Sequence, residues 1–142
     1  MVVRRIGEAD ITPATGLLAQ LGCPMSEAEV TRRLQIVSAA PSHRVWVADD
    51  GDHVVGLLHA FFRAALEKPP EVVVQALVVD ASRWSQEIGE RLMQVAEQFA
   101  RESGSATVSL YSGVQRADTH RFYERLGYTN AGTSYLMRKM LG

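Results

Sequence analysis

The hydrophobic pattern of this chain is organised around Val72 to Ala100. From Val72 to Asp80, seven of nine residues are apolar and five are valine, the composition of a strand buried on both faces. A polar turn, Ala81 to Ser85, follows. Then Ile88, Leu92, Val95, Ala96 and Phe99 recur at the three, four and seven spacing of one helical face. A strand that passes through a short turn into a helix leaves the first helical amides unpaired, with the positive end of the dipole above the strand. That is a natural anion cradle.

The remaining elements are read in order. Val2 to Ile6 is a short first strand, its two arginines alternating or near an edge. Thr12-Pro13 marks a helix start, with Thr as N-cap and Pro where a missing N–H costs nothing, and Gly22 is its left-handed cap. Ser26 with Glu29 reads as a capping box for a second helix over roughly Glu27 to Ser38. Arg44 to Ala48 and Val54 to Phe62 are strands joined by Asp49-Asp50-Gly51-Asp52, a hairpin turn. After the long helix, Gly104 is a cap and Ala106 to Tyr111 a further strand, parallel to the Val72 strand by a right-handed crossover. Asp118 or Ala117 opens a last helix and Gly127 closes it. Tyr128 to Thr129 and Thr133 to Leu141 are expected to form a final strand pair around Asn130-Ala131-Gly132. The order β-α-α-β-β-β-α-β-α-β-β predicts a single α/β domain over 1–142. Its sheet is mixed and mostly antiparallel, with helices on both faces.

Composition narrows the function. At 142 residues the chain is long enough to bury a core without disulfides or metal. A formal charge of -1 and only two lysines, Lys68 and Lys139, give no electrostatic case for nucleic acid or membrane. Cys23 stands alone before Pro24 and reads as a small buried residue in a reducing compartment. No apolar run approaches the roughly 18 residues that span a bilayer, and no N-terminal stretch resembles a signal peptide, so a cytoplasmic location is expected. His43, His53, His59 and His120 lack metal-ligand spacing. Asp118 and His120 near Ser112 lack the elbow motif of a hydrolase.

Leu77 to Asp80, Gln86, Ile88, Gly89 and Leu92 resemble the cofactor segment of the GNAT N-acetyltransferase superfamily, in which an LVVD-like strand meets an Arg/Gln-x-x-Gly-x-Gly/Ala loop. Trp84, Ser85 and Glu87 stand where that pattern has Arg or Gln, Gly, and the first motif Gly. The resemblance implies a GNAT fold in which the two parallel strands splay into a cleft for acetyl-CoA. Leu77, Val78 and Val79 would then hydrogen-bond the pantetheine arm as an added strand, and Ser85, Gln86, Glu87, Ile88 and Gly89 would form the pyrophosphate cradle. A second run, Ser112 to Tyr128, is similar to the family's A-x-x-F-Y-E-x-x-G-[FY] helix through Phe122, Tyr123, Glu124, Gly127 and Tyr128.

The resemblance puts Tyr123 near the thioester sulfur. A phenol of pKa ~10 facing a thiol of ~8.5 can donate a proton as the thiolate leaves. The bland alternative is that Tyr123 packs beside Phe122. Ser112 lies where many relatives carry Asn and is a candidate for the pantetheine amide. Arg116, with His120 and Arg121, either contacts cofactor phosphates or forms a solvated face.

The family often carries an acid at the position of Gln75, which cannot act as a base. Glu71, His59 or water are the replacements. Two function classes remain. One is an N-acetyltransferase of a small-molecule amine, its wording similar to aminoglycoside-type relatives and its assembly a monomer or homodimer. The other is a non-catalytic module of the same fold that binds an acyl-CoA or another anion, or serves as an interaction domain.

Overall fold

The computed structural model describes residues 1–83, 85–112 and 117–142. Among them the elements are β1 (Val2–Arg5), α1 (Ile11–Gln20), α2 (Glu27–Ala39), β2 (His43–Asp49), β3 (Val54–Arg63), β4 (Glu71–Val79), α3 (Gln86–Glu102), β5 (Val108–Leu110) and α4 (Ala117–Arg125). Single 3-10 turns occupy Glu8–Asp10 and Ala81–Arg83. The chain divides into two compact units, Met1–Tyr111 and Ser112–Gly142.

In the first unit the strands lie in sequence order. Neighbours are antiparallel except β4 and β5, which are parallel as the crossover rule requires. Valine-rich β4 is interior to the sheet, and Val72 is fully buried. The two faces hold separate cores. Ala14, Leu17, Val45, Leu57 and Val78 pack with Leu34 and Val37 beneath α1 and α2. Ala60, Val72, Phe99 and Ala100 pack with Trp46, Phe62 and Val108 beneath α3. Trp46 meets Phe99 edge-on at 5.6 Å. Period-two alternation along β2 and β3 sorts the side chains between these layers.

Gly56 sets how closely α3 approaches. A Cβ at this position would lie 3.0 Å from Leu92 Cδ1, 3.3 Å from Ala48 Cβ and 3.4 Å from the Val78 carbonyl oxygen. Gly56 pairs with Val79, so the fit is made at the end of β4 from which the chain turns into α3.

Several local expectations hold. The Ser26 hydroxyl accepts the Glu29 amide at 3.1 Å. Only half of the expected box forms, because the Glu29 carboxylate turns to Arg32 and Arg33, which hold it down at about pKa 2. Gly22, Gly51, Gly104 and Gly127 all adopt positive φ.

Others are corrected. The first helix begins at Ile11, ahead of Thr12-Pro13, and Pro13 falls at its third position, where its N–H would still have lacked a partner. The Thr12 hydroxyl, free of capping duty, donates to Glu27 at 2.6 Å. Cys23 is exposed rather than buried, because it lies in the loop between α1 and α2.

The largest difference is at the C-terminus. In the second unit the Asn130 turn forms, its side chain accepting the Gly132 amide at 3.0 Å, but the flanking residues make no strand pair. Tyr135, Leu136 and Met137 stay exposed. A lone two-stranded pair with nothing to cover its apolar face is marginal in water, and apolar content alone does not supply the partner. Among the described residues the parallel pair β4–β5 lies at one edge of the five-stranded sheet.

The Gly56 fit predicts a stability loss. Gly56→Val should destabilise the fold by about 1 to 3 kcal/mol through overpacking against Leu92 and Ala48. Urea unfolding followed by far-UV circular dichroism measures it, and an unchanged midpoint would show that α3 does not depend on the bare backbone there.

Candidate active site

The site is built on a register mismatch. Toward β3, His59 pairs with Ala76 and Ala60 with Val74, so Gln75 is an extra residue, a bulge, and it is exposed. On its other edge β4 pairs with β5 only through Val72, Val73 and Val74. Pairing with β5 stops where the bulge begins, and from Gln75 to Val79 that edge of β4 has no strand partner among the described residues. The parallel pairing therefore ends after Val74 and Leu110, in the strand pair where the resemblance places the opening of the cleft.

Beyond Val79 the chain is tied down at each step. The Asp80 amide donates to the Val55 carbonyl at 2.8 Å. The Asp80 carboxylate accepts the Ser82 amide at 3.1 Å and the Ser82 hydroxyl at 3.0 Å, bonds that hold its pKa below the usual carboxylate range. Gln20, from the end of α1, accepts the Ala81 amide at 2.8 Å and donates to Asp80 at 3.4 Å. Arg83 reaches the β2–β3 turn, with Nη1 2.6 Å from Asp50 and Nη2 3.1 Å from His53. Sequence reading missed Gln20 and Arg83, since no local pattern marks a contact made across some thirty to sixty residues.

The first turn of α3 then presents its amides. Ser85 is the N-cap, its hydroxyl accepting the Ile88 amide at 3.3 Å, which explains a serine in place of glycine. Gln86 and Glu87 are exposed and Gly89 is buried. Glu87 occupies the first turn, where the dipole favours its charge. Trp84 and Arg116 lie outside the described residues.

In the second unit, Tyr123 is half-buried on α4, 5.1 Å from the Phe122 ring and 5.9 Å from the Tyr128 ring, both edge-on. The Tyr128 amide donates to the Tyr123 carbonyl at 3.0 Å, closing the helix behind Gly127. Arg121 bonds Asp118, so within the expected basic cluster Arg121 already has an acidic partner. The Ser112 hydroxyl oxygen is buried with no hydrogen-bond partner among the described residues.

The base candidates separate clearly. Glu71 is buried at the start of β4 and bonded to Arg63, to the Ser109 hydroxyl at 2.5 Å and to Lys68 at 3.8 Å, so its acceptor capacity is committed. The Arg63 guanidinium also donates to the Tyr111 hydroxyl at 3.3 Å and lowers its pKa.

His59 is not a lone core histidine. Its Nε2 lies 2.8 Å from His43 Nδ1, and the His43 ring stacks on Phe61 at 4.8 Å and 13°. Burial, reinforced by the charge of His43, pushes the His59 pKa down to about 4. The pairing was latent in the hairpin. The hairpin register, shifted by an irregularity between Ala48 and Asp49, sets Val45 opposite His59 and makes residue 43 its diagonal neighbour.

A cleft of about 540 Å³ opens elsewhere on this unit, lined by Asp10, Gly16, Gln20, Asp49, His53 and Asp80 among others. Its most buried carboxylate, Asp10, is satisfied by two bonds from Arg4, at 2.8 and 2.9 Å, and by the Gly7 amide at 2.8 Å. Among the described residues no group of three or more His, Cys, Asp or Glu side chains is arranged to hold a metal ion, and no helix is long and apolar enough to cross a membrane.

This geometry has known counterparts. Residues 16–128 match the model of the acetyltransferase (GNAT) family. An uncharacterized N-acetyltransferase of Bacillus subtilis, YhdJ, is 30% identical over 124 residues, covering 87% of this chain and 86% of its own. Two solved structures share the fold at low identity. The aminoglycoside 6'-N-acetyltransferase AAC(6')-IG of Acinetobacter haemolyticus superposes with a TM-score of 0.86 and 16% identity over 100% of both chains. AAC(6')-Iy, in complex with the bisubstrate analog CoA-S-monomethyl-acetylneamine, gives 0.86 and 14% over 99% of this chain and 98% of that one. With its sheet order, its parted parallel strands and the family match over most of its length, this chain belongs to the GNAT acetyltransferase family, as an enzyme of the acetyltransferase class.

Proposed function

We propose that this chain transfers an acetyl group from acetyl-CoA to the amine of a small molecule by direct attack, working as a single domain over 1–142. The observation that carries the reading is the parting of the sheet. On the side of β5, β4 has no strand partner among the described residues from Gln75 to Val79, and the strand is followed by the Asp80 turn and by Ser85, the N-cap of α3.

The residues present fit acetyl-CoA. An amide-bearing arm adds to a free strand edge by backbone hydrogen bonds, the part given to Leu77, Val78 and Val79. A diphosphate suits the first turn of α3, formed by Ser85, Gln86, Glu87, Ile88 and Gly89. The Ser112 hydroxyl, buried and without a partner among the described residues, is a ready partner for a pantetheine amide. Arg116 is assigned a phosphate by family resemblance. Bound acetyl-CoA supplies an activated acetyl carbon and a thiolate leaving group.

The chain's own residues supply the rest. Tyr123 gives its phenolic proton toward the departing sulfur. Gln75, exposed at the bulge, has an amide that neither gains nor loses a proton at neutral pH, so its role is to orient the acceptor by hydrogen bonding. The acceptor is a small-molecule amine. The fold shared with aminoglycoside acetyltransferases makes neamine a suitable first probe. The protein acts in the cytoplasm as a monomer or homodimer.

Glu87 weakens the cradle without abolishing it. Its side chain is exposed, and at a water-screened separation of ~7 Å two unit charges repel by only ~0.6 kcal/mol. Glu87→Gln should therefore tighten coenzyme A about threefold at low salt, less as salt is raised. Calorimetric titration at two salt concentrations checks this, and unchanged affinity at low salt would mean that the charge points away from the ligand.

Coenzyme A at ~100 times its dissociation constant should raise the melting temperature by about 5 to 10 °C. No shift with coenzyme A or acetyl-CoA would favour the non-catalytic module. Tyr123→Phe should lower kcat at least ~10-fold with little change in coenzyme A affinity. Unchanged turnover would return Tyr123 to packing against Phe122.

A further inference from the structure

We propose that His59 and His43 form a two-ring proton relay, in which His59 takes the proton of the acceptor's ammonium and His43 carries the resulting charge. The inference rests on the acetyltransferase reading. Three observations on β2 and β3 support it.

The first is the bond itself. His59 Nε2 and His43 Nδ1 are 2.8 Å apart, so one nitrogen holds a proton that the other accepts. With the proton on His59 Nε2, the lone pair of His59 Nδ1 is free. A proton arriving there lets the Nε2 proton pass to His43 Nδ1. His59 ends neutral and His43 ends as imidazolium, with the N–H···N bond reversed.

The second is the division of environment. His59 resists positive charge through burial and through the charge of its neighbour, so a proton that reaches it is passed on rather than held. The third is Phe61. Its ring lies nearly parallel to His43, a placement that favours imidazolium over an aromatic face.

Position suits the task. His59 pairs with Ala76, the residue after Gln75, at the point where β4 loses β5. The other ionisable groups around the pair are engaged among themselves. On β3 and β4, Arg63 and Glu71 bond each other, with Lys68 and Tyr111 attached to them. On β2, Arg44 donates to the Pro41 and His43 carbonyls and lies over Phe99 on the opposite sheet face. On α2, Glu29 holds Arg32 and Arg33, and Glu27 accepts from Thr12. α1 carries no ionisable side chain.

The proton balance closes. One ammonium N–H bond breaks, its electron pair stays on nitrogen to form the C–N bond, and the proton leaves through His59 and His43 to solvent. The C–S pair departs with sulfur, which receives a proton from Tyr123, and the second nitrogen proton restores the phenol.

The test uses the full chain, acetyl-CoA and neamine. In the wild type, kcat/KM should level off above the apparent pKa of the relay. In His59→Gln and His43→Gln it should be about 10²-fold lower at pH 7 and should climb tenfold per pH unit toward the pKa of the amine, because only unprotonated acceptor then reacts. Coenzyme A affinity, measured by calorimetry, should change less than about twofold. Nitrogen-15 spectra of the wild-type rings should show one ring staying neutral to about pH 5 while its partner titrates. Variants with wild-type kcat/KM and an unshifted profile would overturn the relay, as would two rings titrating independently near the free value. A wild type that binds coenzyme A but acetylates neither neamine nor simple primary amines would overturn the transferase reading itself, and the relay with it.

Discussion

The site depends on a single surplus residue. β4 faces a ten-residue antiparallel neighbour on one side and a three-residue parallel one on the other. Gln75 takes up the mismatch between them. A bulge increases local twist and bends the strand that carries it. From Gln75 to Val79 the β5 side of β4 has no strand partner among the described residues. Backbone groups left without a partner must be met by water or another polar group, which is the opening that the proposed acetyl-CoA arm would use. Apolar anchoring before the gap, from Val72 to Val74, and within it at Val78, is what lets the fold sustain it.

The rest of the first unit reads as support for that gap. Gly56 removes a side chain so that α3 can lie close to the end of β4. Asp80, Ser82 and Gln20 fix the turn between the two, and Arg83 fastens it to the hairpin. Each of these contacts comes from a different element. The turn is thus held in a defined shape by α1, by β3 and by the β2–β3 connection together, which is what positioning of a charged ligand requires.

What was legible in the sequence was whatever rests on local periodicity or on a few residues in fixed spacing. Val72 to Val79 announced a buried strand, Ile88 to Phe99 an amphipathic helix, and Ser26 and Gly51 the cap and turn that form. The parallel sense of β4 and β5 followed from chirality. Three things were not legible. The parting point depends on how many residues of β5 reach β4, which no local pattern encodes. The His43–His59 contact requires the hairpin register, itself altered by an irregularity between Ala48 and Asp49. And Thr133 to Leu141 carries Tyr135, Leu136, Met137, Met140 and Leu141 yet forms no strand, because apolar content does not name a partner.

Ser85 gives α3 its own internal acceptor. The hydroxyl already holds the Ile88 amide at 3.3 Å, so the first turn is folded and correctly aimed before any anion arrives. Binding at that amide then becomes an exchange, a neutral oxygen giving way to a charged one, and the net gain is the difference between two hydrogen bonds rather than the whole of one. A cradle of this kind trades affinity for readiness. For the diphosphate proposed above, such an end would hold less tightly than a bare one, with no turn to re-form on release.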